Sequence, residues 1–249
     1  MLFRTHGNPG KPTIILLHGG GLSDWSLEKV AALLTPDYYM VTPVIDGYGD
    51  DAENPFISIE HSARNLLSYI RDHCGGRVYA LGGLSIGAQI ALEAMCEQND
   101  VAEYAVLESA LVWPIPGTTQ LMAPLSGFCY GLIRQKWFAR LQARELYVPE
   151  EWFTKYYTDS IRMSKASLIN TIRSNGNYRL PPETSNIKAS TLVIVGEKEI
   201  SAMKRSADDL CAHLPKYHLE VAAGLKHGQL SLTQPERYVA LLRTHFNTK

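Results

Sequence analysis

The 249-residue sequence is notable first for what it lacks. No stretch approaches the roughly 18 consecutive apolar residues that a membrane-spanning helix needs. The opening MLFRTHGNPGKP also has no apolar core of the kind a secretory leader carries. Together these absences predict a cytoplasmic protein with no membrane partner. Cysteine is sparse. Cys74, Cys96, Cys129 and Cys211 lie far apart, and no two of them form a C-x-x-C pair. Neither a disulfide framework nor a thiolate metal site is expected, and the four are read as reduced, mostly buried thiols. An excess of one charge is missing too: 24 Lys and Arg face 25 Asp and Glu, a formal net charge of -1, with neither sign gathered into a block. A nucleic-acid binder would show a basic face, so none is expected here. The expected partner is a neutral or weakly charged small molecule, bound by a monomer or homodimer.

Internal repeats and low-complexity tracts are absent as well; what recurs is a short β-branched or aromatic run followed by a helical period. Thr13–Gly21 (TIILLHGGG), Tyr38–Ile45 (YYMVTPVI), RVYALGGL, EYAVLESALV, TLVIVGEKE and YHLEVAAG read as strands. Between them Ser26–Leu34, Ser58–Cys74, IGAQIALEAMCEQ, SAMKRSADDLCAHL and TQPERYVALLRTHF read as helices, with Ser58 placed to cap its helix. Strands apolar on both faces, alternating with helices of ten or more residues, imply an α/β fold: a mostly parallel central sheet flanked by helices. The alternation fails once. Residues 112–188 contain aromatics such as Trp137, Phe138, Trp152 and Phe153 among helical stretches but no good strand, and WPIPG and RLPPE bound them. They are read as a helical cap inserted into a core made of residues 1–111 and 189–249.

In such sheets a site forms in the loops at the carboxyl ends of the strands. Those loops carry HGGG (His18–Gly21), GLSIG (Gly83–Gly87), Glu197 and Glu199, and finally His227 in GLKHGQL. A G-x-S-x-G pattern alone is weak, since roughly one chain in ten of this length contains it at ordinary glycine and serine frequencies. Its position between a strand and a long helix gives it weight. A sharp turn there thrusts the Ser85 hydroxyl out of the sheet at a helix N-terminus, where unpaired N–H groups favour developing negative charge. A serine needs a base, and histidine is suited to that task near neutrality. Of eight histidines, only His227 follows a late strand in a glycine-flanked loop; His18 is read as ordering the glycine loop.

The acid that would orient His227 stays open at this level among Glu199, Glu197 and Glu108, all of which follow apolar strands. For an oxyanion, the N–H of Ile86 and one from Gly20 or Gly21 are the expected donors. Leu22 and Trp25, just past the glycines, and Met122 and Trp137 in the inserted segment are the expected substrate contacts. The constellation needs no metal and no cofactor.

TIILLHGGG, LGGLSIGAQIAL, TLVIVGEKE and GLKHGQLSLTQPERYVALLRTHF, in that order, resemble the α/β-hydrolase superfamily, from about Thr13 to Phe246. The resemblance implies Ser85 as nucleophile, His227 as base and Glu199 where the family usually has aspartate, with the insertion standing where the family places its lid. Two departures stand out. Val44 replaces an aspartate in PVIDGYG (Pro43–Gly49), and the segment before Thr13 leaves room only for a brief leading strand or hairpin. The expected activity is that of a carboxylesterase acting on a small, mostly apolar substrate. A thioesterase, a lactonase or a carbon–carbon bond hydrolase would use the same residues, and a homologue that binds without turnover would keep the pocket.

Overall fold

The computed structural model describes residues 1–247; positions 248 and 249, at the end of the second core segment, lie outside it. Seven strands form one sheet: β1 (Leu2–His6), β2 (Thr13–Leu17), β3 (Tyr39–Val44), β4 (Val78–Leu84), β5 (Ala102–Glu108), β6 (Ser190–Gly196) and β7 (Tyr217–Ala222). Their order is β1-β3-β2-β4-β5-β6-β7. β1 runs antiparallel to β3 and is the brief leading strand; every other neighbouring pair is parallel.

The two-residue period of a strand explains how one apolar run serves two cores. In β2, Ile15 and Leu17 join Val41, Leu81, Leu107 and Val193 on one face. Helices α2 (Ile59–His73), α3 (Ile86–Glu97) and α8 (Ser201–His213) cover that face through residues such as Leu66, Ile90 and Leu210. Ile14 and Leu16 point the other way with Met40, Ala80, Val106 and Leu192. There α1 (Glu28–Leu34) and α10 (Pro235–Phe246) close the core through Val30, Leu34, Tyr238 and Leu242. Ser58 caps α2 as expected, its hydroxyl accepting from the His61 N–H at 3.2 Å. The four cysteines are free and half-buried, not fully enclosed; Cys74, Cys96 and Cys211 lie at the margin of a packed layer.

Between β5 and β6 the chain is helical and, among the described residues, contains no strand. Its main elements are α4 (Ala123–Phe128), α5 (Lys136–Glu145), α6 (Phe153–Arg162) and α7 (Lys165–Asn177). A separate apolar cluster ties α5 and α6 to the core loops, where Leu22, Trp25 and Leu84 meet Ala139, Ala143, Phe153 and Tyr156. The loop after β3 is braced without help from position 44. Asp46, two residues later and 3% exposed, accepts from the Ser62 hydroxyl at 2.7 Å and the Asn65 amide at 3.2 Å.

Register decides where the loops emerge. Leu17 pairs with Gly83, Leu84 with Glu108, Glu108 with Ile194 and Gly196 with Ala222. The strand ends are therefore level, and the loops after β2, β4, β5, β6 and β7 share one edge of the sheet. The remaining helix, α9 (Gln229–Thr233), follows the last of those loops.

Candidate active site

Ser85 joins β4 to α3 with φ 55° and ψ −116°, a conformation that is costly for any side-chain-bearing residue. Two restraints hold it there. Its N–H continues the sheet ladder to the Glu108 carbonyl at 2.8 Å, and its carbonyl accepts the first helical bond from Gln89 at 3.0 Å. The flanking glycines are demanded by contact. A Cβ on Gly83 would lie 2.6 Å from the Gly87 carbonyl carbon, and one on Gly87 would lie 2.5 Å from the His18 carbonyl oxygen. Ser85 occupies the capping position of α3, yet its hydroxyl makes no capping bond. The hydroxyl is thus not spent on the helix, and the first-turn N–H groups, including that of Ile86, have no acceptor within it.

The glycine loop after β2 is fixed by His18, which is fully buried. The Ile45 N–H donates to its Nε2 at 3.1 Å, leaving the proton on Nδ1, which reaches the Gly19 carbonyl at 2.9 Å. Burial drives its pKa down to about 4, so the ring stays neutral and links the loops after β2 and β3.

His227 and the candidate acids separate clearly. Glu199 Oε2 lies 2.8 Å from His227 Nδ1, with the carboxylate side chain buried and the imidazole about half exposed. The other oxygen, Oε1, accepts from the Ser109 hydroxyl at 2.7 Å and the Gly196 N–H at 2.8 Å. Burial pushes the Glu199 pKa upward, but the imidazole and these donors outweigh it, and the group ends below its ordinary value. Glu197 turns away to the exposed Gly224 N–H. Glu108 is 2% exposed and accepts from the Ser231 N–H at 3.2 Å, while its Oε2 has no hydrogen-bond partner. Burial raises the Glu108 pKa to about 7. Of the three acids that the sequence leaves open, only Glu199 meets His227. The approach of the His227 loop depends on Gly196, where a Cβ would stand 2.6 Å from the Leu225 carbonyl oxygen.

Ser85, Ile86, His227 and Gly20 line one cavity of about 390 Å³. Leu22 and Met122 line it too, as the sequence suggests. Gly21 lines instead an adjoining chamber, so of the two glycines expected as donors only Gly20 lines the Ser85 cavity. Trp25 and Trp137 line neither space. Trp25 stacks on Trp152 at 5.5 Å between ring centroids and donates from its indole N–H to Asp159 at 2.9 Å, so it fastens the helical segment to the core. Trp137 is 59% exposed on the outer surface of α5.

The sequence reading misses Ser109. It follows β5 directly, holds φ 53°, donates to Glu199 and accepts from the Gly228 N–H at 3.2 Å. A serine immediately after an apolar strand is the one signal the sequence carries for it. Thr171 and Asn175 of α7, which also line the Ser85 cavity, carry no signal at all, because only tertiary packing brings α7 over the sheet. Among the described residues, no group of three His, Cys, Asp or Glu side chains converges to hold a metal ion, and no helix is long and apolar enough to cross a membrane.

Residues 14–241 match the Alpha/beta hydrolase family as a sequence profile. The chain belongs to the alpha/beta hydrolase family. An AB hydrolase superfamily protein from Gibberella zeae is 28% identical over 141 residues, 56% of this chain and 49% of that protein. An uncharacterized hydrolase, YugF, from Bacillus subtilis is 27% identical over 106 residues, 42% of this chain and 39% of that protein. The matches thus span half or less of these curated relatives' length. Among solved structures, an esterase from Exiguobacterium antarcticum superposes with a TM-score of 0.81 at 17% identity, covering 99% of this chain and 95% of that one. An enol-lactonase from Burkholderia xenovorans LB400 gives 0.80 at 14% identity, covering 99% and 96%. At these identities the likeness is one of fold.

Proposed function

We propose that this alpha/beta hydrolase is a serine hydrolase of carboxylic esters, with Ser85 as nucleophile, His227 as base and Glu199 as the orienting acid. The observation that carries the reading is the 2.8 Å contact between Glu199 Oε2 and His227 Nδ1, made beside a cavity that the imidazole shares with Ser85. The buried carboxylate keeps a proton on Nδ1 and leaves Nε2 to act as base.

The chemistry is a two-step acyl transfer. Ser85 Oγ forms a bond to the ester carbonyl carbon as its proton passes to His227 Nε2, and the carbonyl oxygen becomes an oxyanion. The N–H groups of Ile86 and Gly20 stabilise that charge, at a helix N-terminus which already favours it. The oxyanion collapses, the carbon–oxygen bond to the leaving alcohol breaks, and His227 returns the proton to that alcohol. Water then adds to the acyl-enzyme while giving a proton to His227. The second collapse releases the carboxylic acid, and the proton goes back to Ser85 Oγ. The helical segment 112–188 serves as a cap that shapes the substrate space. Two of the fold neighbours are an esterase and an enol-lactonase, which supports this class of substrate.

Intact-mass analysis after exposure to a fluorophosphonate tests the reading. A single adduct on the native chain, absent from Ser85→Ala and His227→Ala, is the expected result. Glu199→Ala should slow hydrolysis of an activated ester by about 10³-fold or more, far beyond any effect of Glu197→Ala. A folded native protein that takes no adduct and turns over no ester would overturn the proposal.

A further inference from the structure

The Ser85 cavity does not stand alone. A second chamber of about 710 Å³ opens beside it under α5, α6 and α7, and the two share Gly20, Leu22, Glu145, Leu146, Thr171 and Ile172 in their walls. We infer, building on the ester-hydrolase reading above, that this second chamber is a substrate subsite that receives a long apolar arm, an alkyl chain of about six to ten carbons attached to the reacting ester.

Three features point to that occupant. The first is position. Gly20 belongs to both spaces, so a carbonyl held between Ser85 and Gly20 sits at their junction, and one of its two substituents faces the second chamber. The second is the chemistry of the wall, to which Ile133, Leu141, Met163 and Leu168 contribute apolar surface. Its buried polar groups are already engaged with the protein. The Tyr48 hydroxyl donates to Thr171 at 3.1 Å, and Asp159 accepts from the Trp25 indole at 2.9 Å and from Lys155 at 3.0 Å. Ser160 donates to the Tyr156 carbonyl of its own helix at 2.8 Å. Gln142 is half-buried, and Arg144 and Glu145 are exposed. A polar arm would give up water for a wall whose buried donors and acceptors are occupied, whereas an apolar arm gains from the transfer. The third is size. The chamber alone is as large as sites that enclose a whole drug-sized molecule, so an acetyl or ethyl group would leave most of it unfilled.

An acyl chain and an alcohol chain share this chemistry and are told apart by the substrate. Hydrolysis of ethyl acetate, ethyl octanoate and octyl acetate is followed by acid release, with the native chain, Ser160→Phe and Ser160→Ala. One of the two long esters should exceed ethyl acetate in kcat/KM by about 100-fold or more, since each buried methylene contributes a factor of up to about four. Which of the two does so identifies the arm. Ser160→Phe, which projects a ring from α6 into the chamber, should cut the long-to-short ratio at least about tenfold, and Ser160→Ala should keep it. Leu141→Trp, at a residue 52% exposed, repeats the filling without crowding a packed core if the first variant fails to fold.

Binding of 2-decanone, which carries an eight-carbon arm and no leaving group, gives a readout independent of turnover. It should raise the melting temperature of the native chain but not of the filled variant, while acetone raises neither. Esters hydrolysed with no preference for either long arm, or a ratio unmoved by filling, would overturn the subsite and leave the hydrolase reading in place. Conversely, 2-decanone binding that Ser160→Phe abolishes, in a chain that takes no fluorophosphonate and cleaves no ester, would uphold the subsite and sink the hydrolase.

Discussion

Ser109→Ala removes one hydroxyl that joins two parts of the site. The native hydroxyl donates to Glu199 Oε1 at 2.7 Å and accepts from the Gly228 N–H at 3.2 Å, and the residue itself follows β5 with φ 53°. A hydrogen bond to a charged group contributes about 1.5–3 kcal/mol, and a buried N–H left without an acceptor costs about 1–3 kcal/mol. These losses share one atom and do not simply add, so a destabilisation of about 2–4 kcal/mol is expected. For a chain of this size that corresponds to roughly 5–15 °C in Tm. Hydrolysis of an ester should fall about 10- to 100-fold, because Glu199 and the residue beside His227 both lose their anchor.

Ser109→Gly separates the hydroxyl from the backbone. It deletes the same two bonds but relieves the positive φ, and should therefore be about 1 kcal/mol more stable than the alanine variant while equally slow. The pH dependence supplies a third readout. Glu199 titrates below its ordinary value in the folded state, so its contribution is present above the unfolded pKa near 4.5 and is lost as pH falls through the folded one. Removing the Ser109 donor raises that folded pKa, and the acid-side loss of stability should begin at higher pH in both variants. Urea unfolding between pH 3 and 7, paired with kcat/KM, measures all of this. An alanine variant with native activity and native stability would refute the bridging role.

Glu108 predicts the opposite pH sign: burial raises its pKa from 4.5 to about 7, so the stabilising protonated form holds below pH 4.5 and is lost as pH rises through 7. The native chain should lose about 3 kcal/mol relative to Glu108→Gln between pH 4.5 and 8, and parallel urea curves for the two proteins would contradict this. Trp25→Phe keeps most of the ring contact with Trp152 but leaves Asp159 without its 2.9 Å indole donor, with Lys155 as the remaining partner. A loss of about 1.5–3 kcal/mol is expected by thermal unfolding, with faster protease cleavage within residues 112–188; unchanged values on both measures would show that Trp25 does not fasten that segment.

The sheet was legible because it rests on a short-range rule. Four consecutive apolar residues in β2 can all be buried only if both faces are covered, and the alternation of Ile14 and Leu16 with Ile15 and Leu17 into two separate cores bears that out. Ser85 and His227 were legible for a related reason: glycine-flanked residues at the ends of such strands emerge on one edge whatever the details of packing. The choice of acid was not. Glu197 and Glu199 follow the same strand two residues apart, and strand periodicity ends where they begin.

What separates those two glutamates is the turn that follows β6. The Glu199 N–H returns to the Gly196 carbonyl at 3.1 Å, while the Glu197 N–H reaches across to Ala222 at 3.0 Å. The turn folds Glu199 back beneath the His227 loop and commits Glu197 to the loop after β7, so one side chain is buried and the other exposed. The aromatics of the inserted segment were illegible for a different reason. An amphipathic helix announces that it has an apolar face but not which neighbour the face meets. Trp137 and Phe153 thus look alike in sequence, yet the first lies at the surface and the second packs against Leu22 and Trp25. Residue type brought out Ser85 and His227 because backbone geometry at strand ends constrains such positions strongly. It brought out Leu22 and Met122 in the cavity wall but not Thr171 or Asn175, since that part of the wall depends on how α7 settles over the sheet, and no local rule in the chain encodes that.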